Sequence, residues 1–325
     1  MDNEIKVSIQ CLVYNHEPYL RECLDGFVMQ KTNFKFEAIV HDDCSTDGSA
    51  AIIKEYAEKY PNIIKPILET ENQYSKGGGL LRKIMDSHMR GKYVALCEGD
   101  DYWTDPTKLQ QQVDYLESHP DCALCFHDAE IVAEKGRDYY DVFGKLETRD
   151  YSIDELLREW KVPTCSMVVR GDVFFNRPNN AKFRMGDNVI YITAAQYGKI
   201  HCIAKKMGVY RLNSTSWIGS QSNTAMAYKY LSHYKGLIEE FESCRCDIIY
   251  HLMEERYFQL MATYKLQRDK GHFNEVKAEY ESYPGTVHLD KFKSYYRKAS
   301  VRYWLKGIIG DKLVKLYRRL RYTKG

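Results

Sequence analysis

A chain of 325 residues, 44% hydrophobic and 28% charged, is long enough to bury a sizeable core and has the balance of an ordinary water-soluble globular protein. It contains no apolar run of about eighteen residues, which excludes a membrane-spanning helix. The net charge of +2 is unevenly placed: from Lys291 to Gly325 twelve Lys and Arg face one acid, leaving the first 290 residues at −9. Basicity confined to one tail excludes a broad nucleic-acid-binding face and points to a local anionic partner.

In chain order, "VSIQCLVYN" (Val7 to Asn15) predicts an apolar strand, and Glu17 to Gln30 then spaces Leu20, Leu24, Phe27 and Val28 at helical intervals. "FEAIVHDD" (Phe36 to Asp43) predicts a second strand, followed by "STDGSAAIIKEYAEKY", which opens with capping residues before a helix. "NIIKPIL" reads as a third strand, and the loop "ENQYSKGGG" leads into a helix ending near Gly91. "KYVALCE" is a fourth strand, "DPTKLQQQVDYLESH" a helix and "CALCFHDAEIV" a fifth strand. Beyond Asp150 come a helix ("YSIDELLREW"), a strand and turn ("VPTCSMVVRGDVF") and a helix ("GDNVIYITAAQYG"); from about Thr224 the pattern is all helical. A polar joint near Ser220 sets the expected division: residues 1–220 as an α/β domain and 221–325 as a helical region with a basic amphipathic tail.

Strands alternating with helices imply a mostly parallel sheet covered on both faces, with its ligand crevice beyond the carboxyl ends of the strands. The strand ends carry Tyr14 and Asn15, Asp42 and Asp43, and Glu98 to Asp101. In "HDDCSTDGS", capping by Ser45 or Asp47 accounts for the turn but leaves two adjacent acids, Asp42 and Asp43, unexplained. Clustered carboxylates at two strand ends suit a hard divalent cation, Mg2+ or Mn2+, which takes oxygen ligands and keeps waters and substrate phosphates. The ten cysteines are spread as buried thiols of a reducing compartment. Cys122 and Cys125 could join Cys244 and Cys246 on zinc, but strand alternation turns the first pair to opposite faces. His41, His127 and His201 read as packed or strand-end residues rather than ligands. The N-terminus enters a strand at once, without a basic and apolar leader, so a cytoplasmic protein is expected.

"VSIQCLVYNHEPYL", "HDDCSTDGS" and "GKYVALCEGDDYW", in this order and spacing, resemble the inverting family 2 glycosyltransferases of bacterial surface-polysaccharide type, and the likeness covers roughly residues 5–215. The resemblance implies a GT-A fold, a Rossmann-like mostly parallel sheet with helices on both faces, followed here by the C-terminal helical region. It implies nucleotide contacts at Leu12, Tyr14, Asp43, Asn72 and Arg82, with Asp43 accepting from the uracil ring of a UDP-sugar. It also implies donor-sugar contacts at Glu98 and Asp101, a metal ligand at Asp100, and a diphosphate contact at Arg211. Two positions depart from the family pattern: Glu98 stands where an Asp is usual, and Asn213 where a His is usual.

The catalytic base matches Asp187, at the start of a helix, where the N-terminal dipole should lower its pKa and keep it ionised. Residues 291–325, with aromatic and aliphatic side chains interleaved with Lys and Arg, suit either a solvated helix or an interfacial helix on anionic lipid. The second option would place the enzyme at the inner face of the cell membrane, near a glycan or lipid-linked glycan acceptor. Two rival classes are a sugar-nucleotide nucleotidyltransferase, for which a Gly-rich basic loop would follow the first strand, and a non-catalytic carbohydrate-binding relative, which would lose the metal acid or the base. Here the first strand is followed by "YNHEPYL", and Asp100 and Asp187 are both present.

Overall fold

The computed structural model describes residues 4–133, 143–213 and 222–301. The chain divides into two compact units, Met1–Ser220 and Gln221–Gly325.

The first unit runs β1 (Ile5–Val13), α1 (Glu17–Val28), β2 (Lys35–Asp42), α2 (Ser49–Lys59), β3 (Ile64–Leu68), α3 (Gln73–Lys76), α4 (Leu80–His88), β4 (Tyr93–Leu96), β5 (Tyr102–Trp103) and α5 (Lys108–Ser118). It continues through β6 (Cys122–Ala133), β7 (Arg149–Tyr151), α6 (Ile153–Arg158), β8 (Val168–Arg170), α7 (Gly171–Phe175), α8 (Gly186–Tyr197) and β9 (Lys199–Leu212). The strands form one mixed sheet in the order β3-β2-β1-β4-β8-β6-β9-β5, with β7 also on β9. β3, β2, β1 and β4 run parallel, whereas β8 enters antiparallel between β4 and β6. Central strands buried on both faces read as continuous apolar runs, which is why β1, β2 and β4 were legible. The parallel register pairs Val13 with Asp42 and Gln10 with Leu96, so the loops after β1, β2 and β4 leave from one edge.

α1 lays Leu20, Cys23, Leu24 and Phe27 on the sheet, with its Gly26 against the backbone of β5. A Cβ at Gly26 would stand 2.9 Å from the Trp103 amide nitrogen. The 14-residue β9 was not foreseen; exposed Ala204, Lys205 and Lys206 split its apolar stretches, opposite irregular pairing in β6. The second unit contains α9 (Asn223–Glu240), α10 (Asp247–Leu266), α11 (Lys270–Glu281) and a helix over 289–301. Ser222 and Asp269 cap α9 and α11 through their side-chain oxygens. Within this unit Glu254 is buried and satisfied by the Tyr280 hydroxyl (2.6 Å) and the His288 imidazole (2.8 Å). Most of the expected lipid-facing tail, from residue 302 on, lies outside the described residues. All ten cysteines are free thiols, and all but Cys44 and Cys246 are buried. Among the described residues no helix is long and apolar enough to cross a membrane.

Candidate active site

The first two strand-end loops are laced together by side chains. Asn15, held in the left-handed region at φ 57°, accepts from the Thr46 amide (2.8 Å), and its own amide donates to Ser45 Oγ (2.9 Å). Asp47 accepts from the Glu17 and Ser49 amides, and Gly48 heads α2 without a side-chain cap. Ser45 and Asp47 thus tie two loops together, and Asp47 also satisfies the first amide of α2, the helix-start role that the local sequence suggested for it. Asp42 accepts from the Ser45 amide (3.1 Å). Asp43 is buried and accepts from the Gln73 and Tyr74 amides (2.7 and 3.0 Å), anchoring the first turn of α3. Asn72 caps that helix and donates to the Asp43 carbonyl (3.2 Å). Leu12, Tyr14, Asp43 and Asn72 therefore belong to one set of linked loops, with Tyr14 about half exposed.

Arg82, expected at the nucleotide, donates from its guanidinium to Asp86 and to the carbonyls of Phe175, Arg177 and Pro178, so it braces α4 against the segment after α7.

The turn after β4 is pinned on three sides. Gly99 donates to the Leu12 carbonyl (3.0 Å), and a Cβ there would meet His16 Nδ1 at 2.8 Å and Val13 Cγ2 at 2.9 Å. Asp101, expected at the donor sugar, is 2% exposed and accepts from the Arg211 amide (2.8 Å), so it supports the turn. Arg211, expected at the diphosphate, donates from its guanidinium to the Asp100 carbonyl (2.7 Å), pairs with Glu22 and lies over the Tyr102 ring at 4.4 Å, so it latches the turn. Asn213 donates to Asp100 Oδ2 at 2.7 Å and so still meets the proposed metal acid.

Burial, then Asp100, then Asp187 push the Glu98 carboxyl up to about 8. Burial likewise drives Asp101 well above the carboxylate range, with Asp100 adding to the effect. Carboxyls raised by a neighbouring acid in this way suit a divalent cation, whose charge would relieve the repulsion. Among the described residues no three His, Cys, Asp or Glu side chains converge as a complete cage. The residues present therefore fit a cation held by Asp100, and by Glu98 at most, with phosphate oxygens and water completing its shell.

Asp187 lies in the first turn of α8, with Oδ1 accepting from the Asn188 amide (2.9 Å). The expected fall in its pKa is corrected: burial raises it, against the pull of the Asn188 amide, its own amide and the Trp160 indole. The helix dipole loses to desolvation. His41, His127 and His201 are buried, and burial pushes His127 down to about 3. Two residues escaped the sequence reading, His16 and Trp160. Burial lowers His16, opposed by Asp100, Asp47 and Asp42, and its position inside "YNHEPYL" was the available signal.

Residues 8–182 match the family described as glycosyl transferase family 2. The chain belongs to glycosyltransferase family 2. It is 40% identical over 207 residues to an uncharacterized Mycobacterium tuberculosis protein, covering 63% of this chain and 58% of the relative. It is 30% identical over 130 residues to a putative teichuronic acid biosynthesis glycosyltransferase of Bacillus subtilis, covering 40% of this chain and 49% of that protein. The family 2 chain also shares its fold with Staphylococcus aureus TarS residues 1–349, solved with UDP-GlcNAc. The TM-score is 0.54 at 16% identity, covering 85% of this chain and 92% of that one. This likeness carries the GT-A fold and its mixed α/β sheet.

Proposed function

We propose that the protein is an inverting glycosyltransferase of the hexosyl type. It would move a sugar from a nucleoside-diphosphate donor, UDP-linked by the resemblance, to a hydroxyl of a glycan or lipid-linked glycan in polysaccharide assembly. The observation that carries this reading is the shared sheet edge: the β1 and β2 loops form one wall, and the β4 turn presents Asp100 beside it. The UDP-GlcNAc held by TarS supports the donor class, and the teichuronic acid relative supports a glycan acceptor.

In this reading the loops bearing Leu12, Tyr14, Asp43 and Asn72 hold the nucleotide and thereby position the sugar. Asp100 would hold Mn2+ or Mg2+, which supplies Lewis-acid stabilisation of the leaving diphosphate. Asp187 takes the proton from the acceptor hydroxyl as its oxygen attacks the anomeric carbon from the face opposite the diphosphate. A carboxylate whose pKa is raised by burial is a stronger base than one in water, which suits that step. Glu98, between Asp100 and Asp187 electrostatically, faces the donor sugar.

The test is UDP release from a panel of UDP-sugars with Mn2+, with and without glycan acceptors, for the native chain and for Asp187→Asn. Turnover with at least one donor and its loss in the variant are expected. Turnover unchanged in Asp187→Asn overturns the assignment of the base.

A further inference from the structure

At the end of β9 two residues spaced by two reach the β4 turn. The Arg211 amide donates to Asp101 Oδ1 (2.8 Å), and its guanidinium donates to the Asp100 carbonyl (2.7 Å). Those contacts fix the neighbouring acid and the backbone, and neither touches the Asp100 carboxyl. Asn213 does. It is 2% exposed, and its Nδ2 donates to Asp100 Oδ2 at 2.7 Å. The pair lies 113 residues apart in the chain, so only the closing of the sheet brings it together.

The contact limits what each group can do. An ionised carboxylate offers only acceptors, so the part of Asn213 that faces it is the NH2 group. The lone pair of a carboxamide nitrogen is delocalised into its carbonyl and is not available to a cation, so that group serves the acid. Torsion about the Asp Cβ–Cγ bond is broad, and a carboxyl fixed only through its backbone can swing through many orientations. A buried donor anchored to one oxygen stops that swing. Among the described residues Oδ1 of Asp100 takes no hydrogen bond, and the side chain is half-buried, so Oδ1 is the oxygen left for a ligand from solvent.

We propose that Asn213 is a positioning residue for the cation: by holding Asp100 Oδ2, it makes the carboxylate a one-oxygen ligand through Oδ1. A carboxylate that gives one oxygen leaves more of the shell to phosphate oxygens and water than a chelating one does. That suits a cation which must also hold the departing diphosphate. The inference rests on the reading of Asp100 as the metal acid, and its test separates the two.

Mn2+ binding to the full chain, with UDP present and no turnover, is read from the loss of the free-ion signal in electron paramagnetic resonance. Asn213→Leu keeps the bulk and removes the donor. It should bind Mn2+ about tenfold more weakly, the loss of roughly one charge-assisted hydrogen bond, with UDP affinity measured without metal within about twofold of native. Native Mn2+ affinity in Asn213→Leu overturns the proposal. A parallel loss of metal-free UDP binding also overturns it, since a residue that merely supports the turn would give that result. If Asn213→Leu does not melt cooperatively, Asn213→His decides, because it keeps a donor and Mg2+ gains little from imidazole. Its Mg2+ affinity, by competition with Mn2+, should stay within about threefold of native, and a fall of about tenfold overturns the proposal. Mn2+ binding intact in Asp100→Ala removes the metal acid itself. Binding lost in Asp100→Ala but unchanged in Asn213→Leu defeats the role of Asn213 alone.

Discussion

Lys108 heads α5 with its ammonium fully buried, 3.8 Å from the centre of the Trp103 ring and without a hydrogen-bond partner among the described residues. Burial lowers its pKa from the ordinary 10.5 to about 7. Above pH 10.5 the folded and unfolded chains both carry a neutral amine. As pH falls from there to about 7 the unfolded chain takes up the proton first, so stability drops, and it levels off below that. Lys108→Met should therefore raise the melting temperature by about 2–4 °C per kcal/mol relieved, most at neutral pH and below, with the gain fading near pH 10.5. Thermal melts across that range check the sign. For Asp187, burial sets the sign of the pH dependence of rate: kcat should fall on acidification at a higher pH than an exposed Asp would give. A profile falling only at the pH of an exposed carboxyl would remove Asp187 from the rate-limiting proton transfer. Asp43, Asp100 and Asp187 were legible because acids at strand and helix ends stand out in sequence. The carbonyl partners of Arg82 and the partners of Arg211 and Asp101 were not, since they lie 93 or more residues away.

At the scale of elements, the turn between β4 and β5 is the part on which the proposed chemistry depends, and α1 and β9 both hold it. Arg211→Ala removes the contact to the Asp100 carbonyl and the pair with Glu22. It should weaken Mn2+-dependent UDP binding about tenfold by calorimetry, the loss of roughly one charge-assisted hydrogen bond, with far-UV circular dichroism unchanged. Gly26→Ala drives a methyl onto the Trp103 backbone and should cost about 1–3 kcal/mol in denaturant unfolding. Sequence periodicity found most helices and the strands β1 to β4 and β6, because one apolar face or run defines each of them. It missed the extent of β9, where Lys205 and Lys206 break the run at an irregularity that only the pairing with β6 explains.

For the molecule as a whole, the acidic first 290 residues and the basic tail set the remaining expectation, contact with anionic lipid through residues 291–325. Deleting those residues should abolish sedimentation with vesicles containing anionic lipid while leaving UDP binding intact. Unchanged sedimentation removes the membrane role. By itself the sequence determined the α/β class, the family and the three acidic positions, because motif order and apolar runs are properties of the chain read in one dimension. Only the tertiary structure decided what each charged group does. It gave Arg82 and Arg211 their bracing partners, made Asp101 a support of its turn and raised Asp187 where the helix terminus alone would lower it. Burial and the direction of a hydrogen bond depend on neighbours that the chain brings together only on folding.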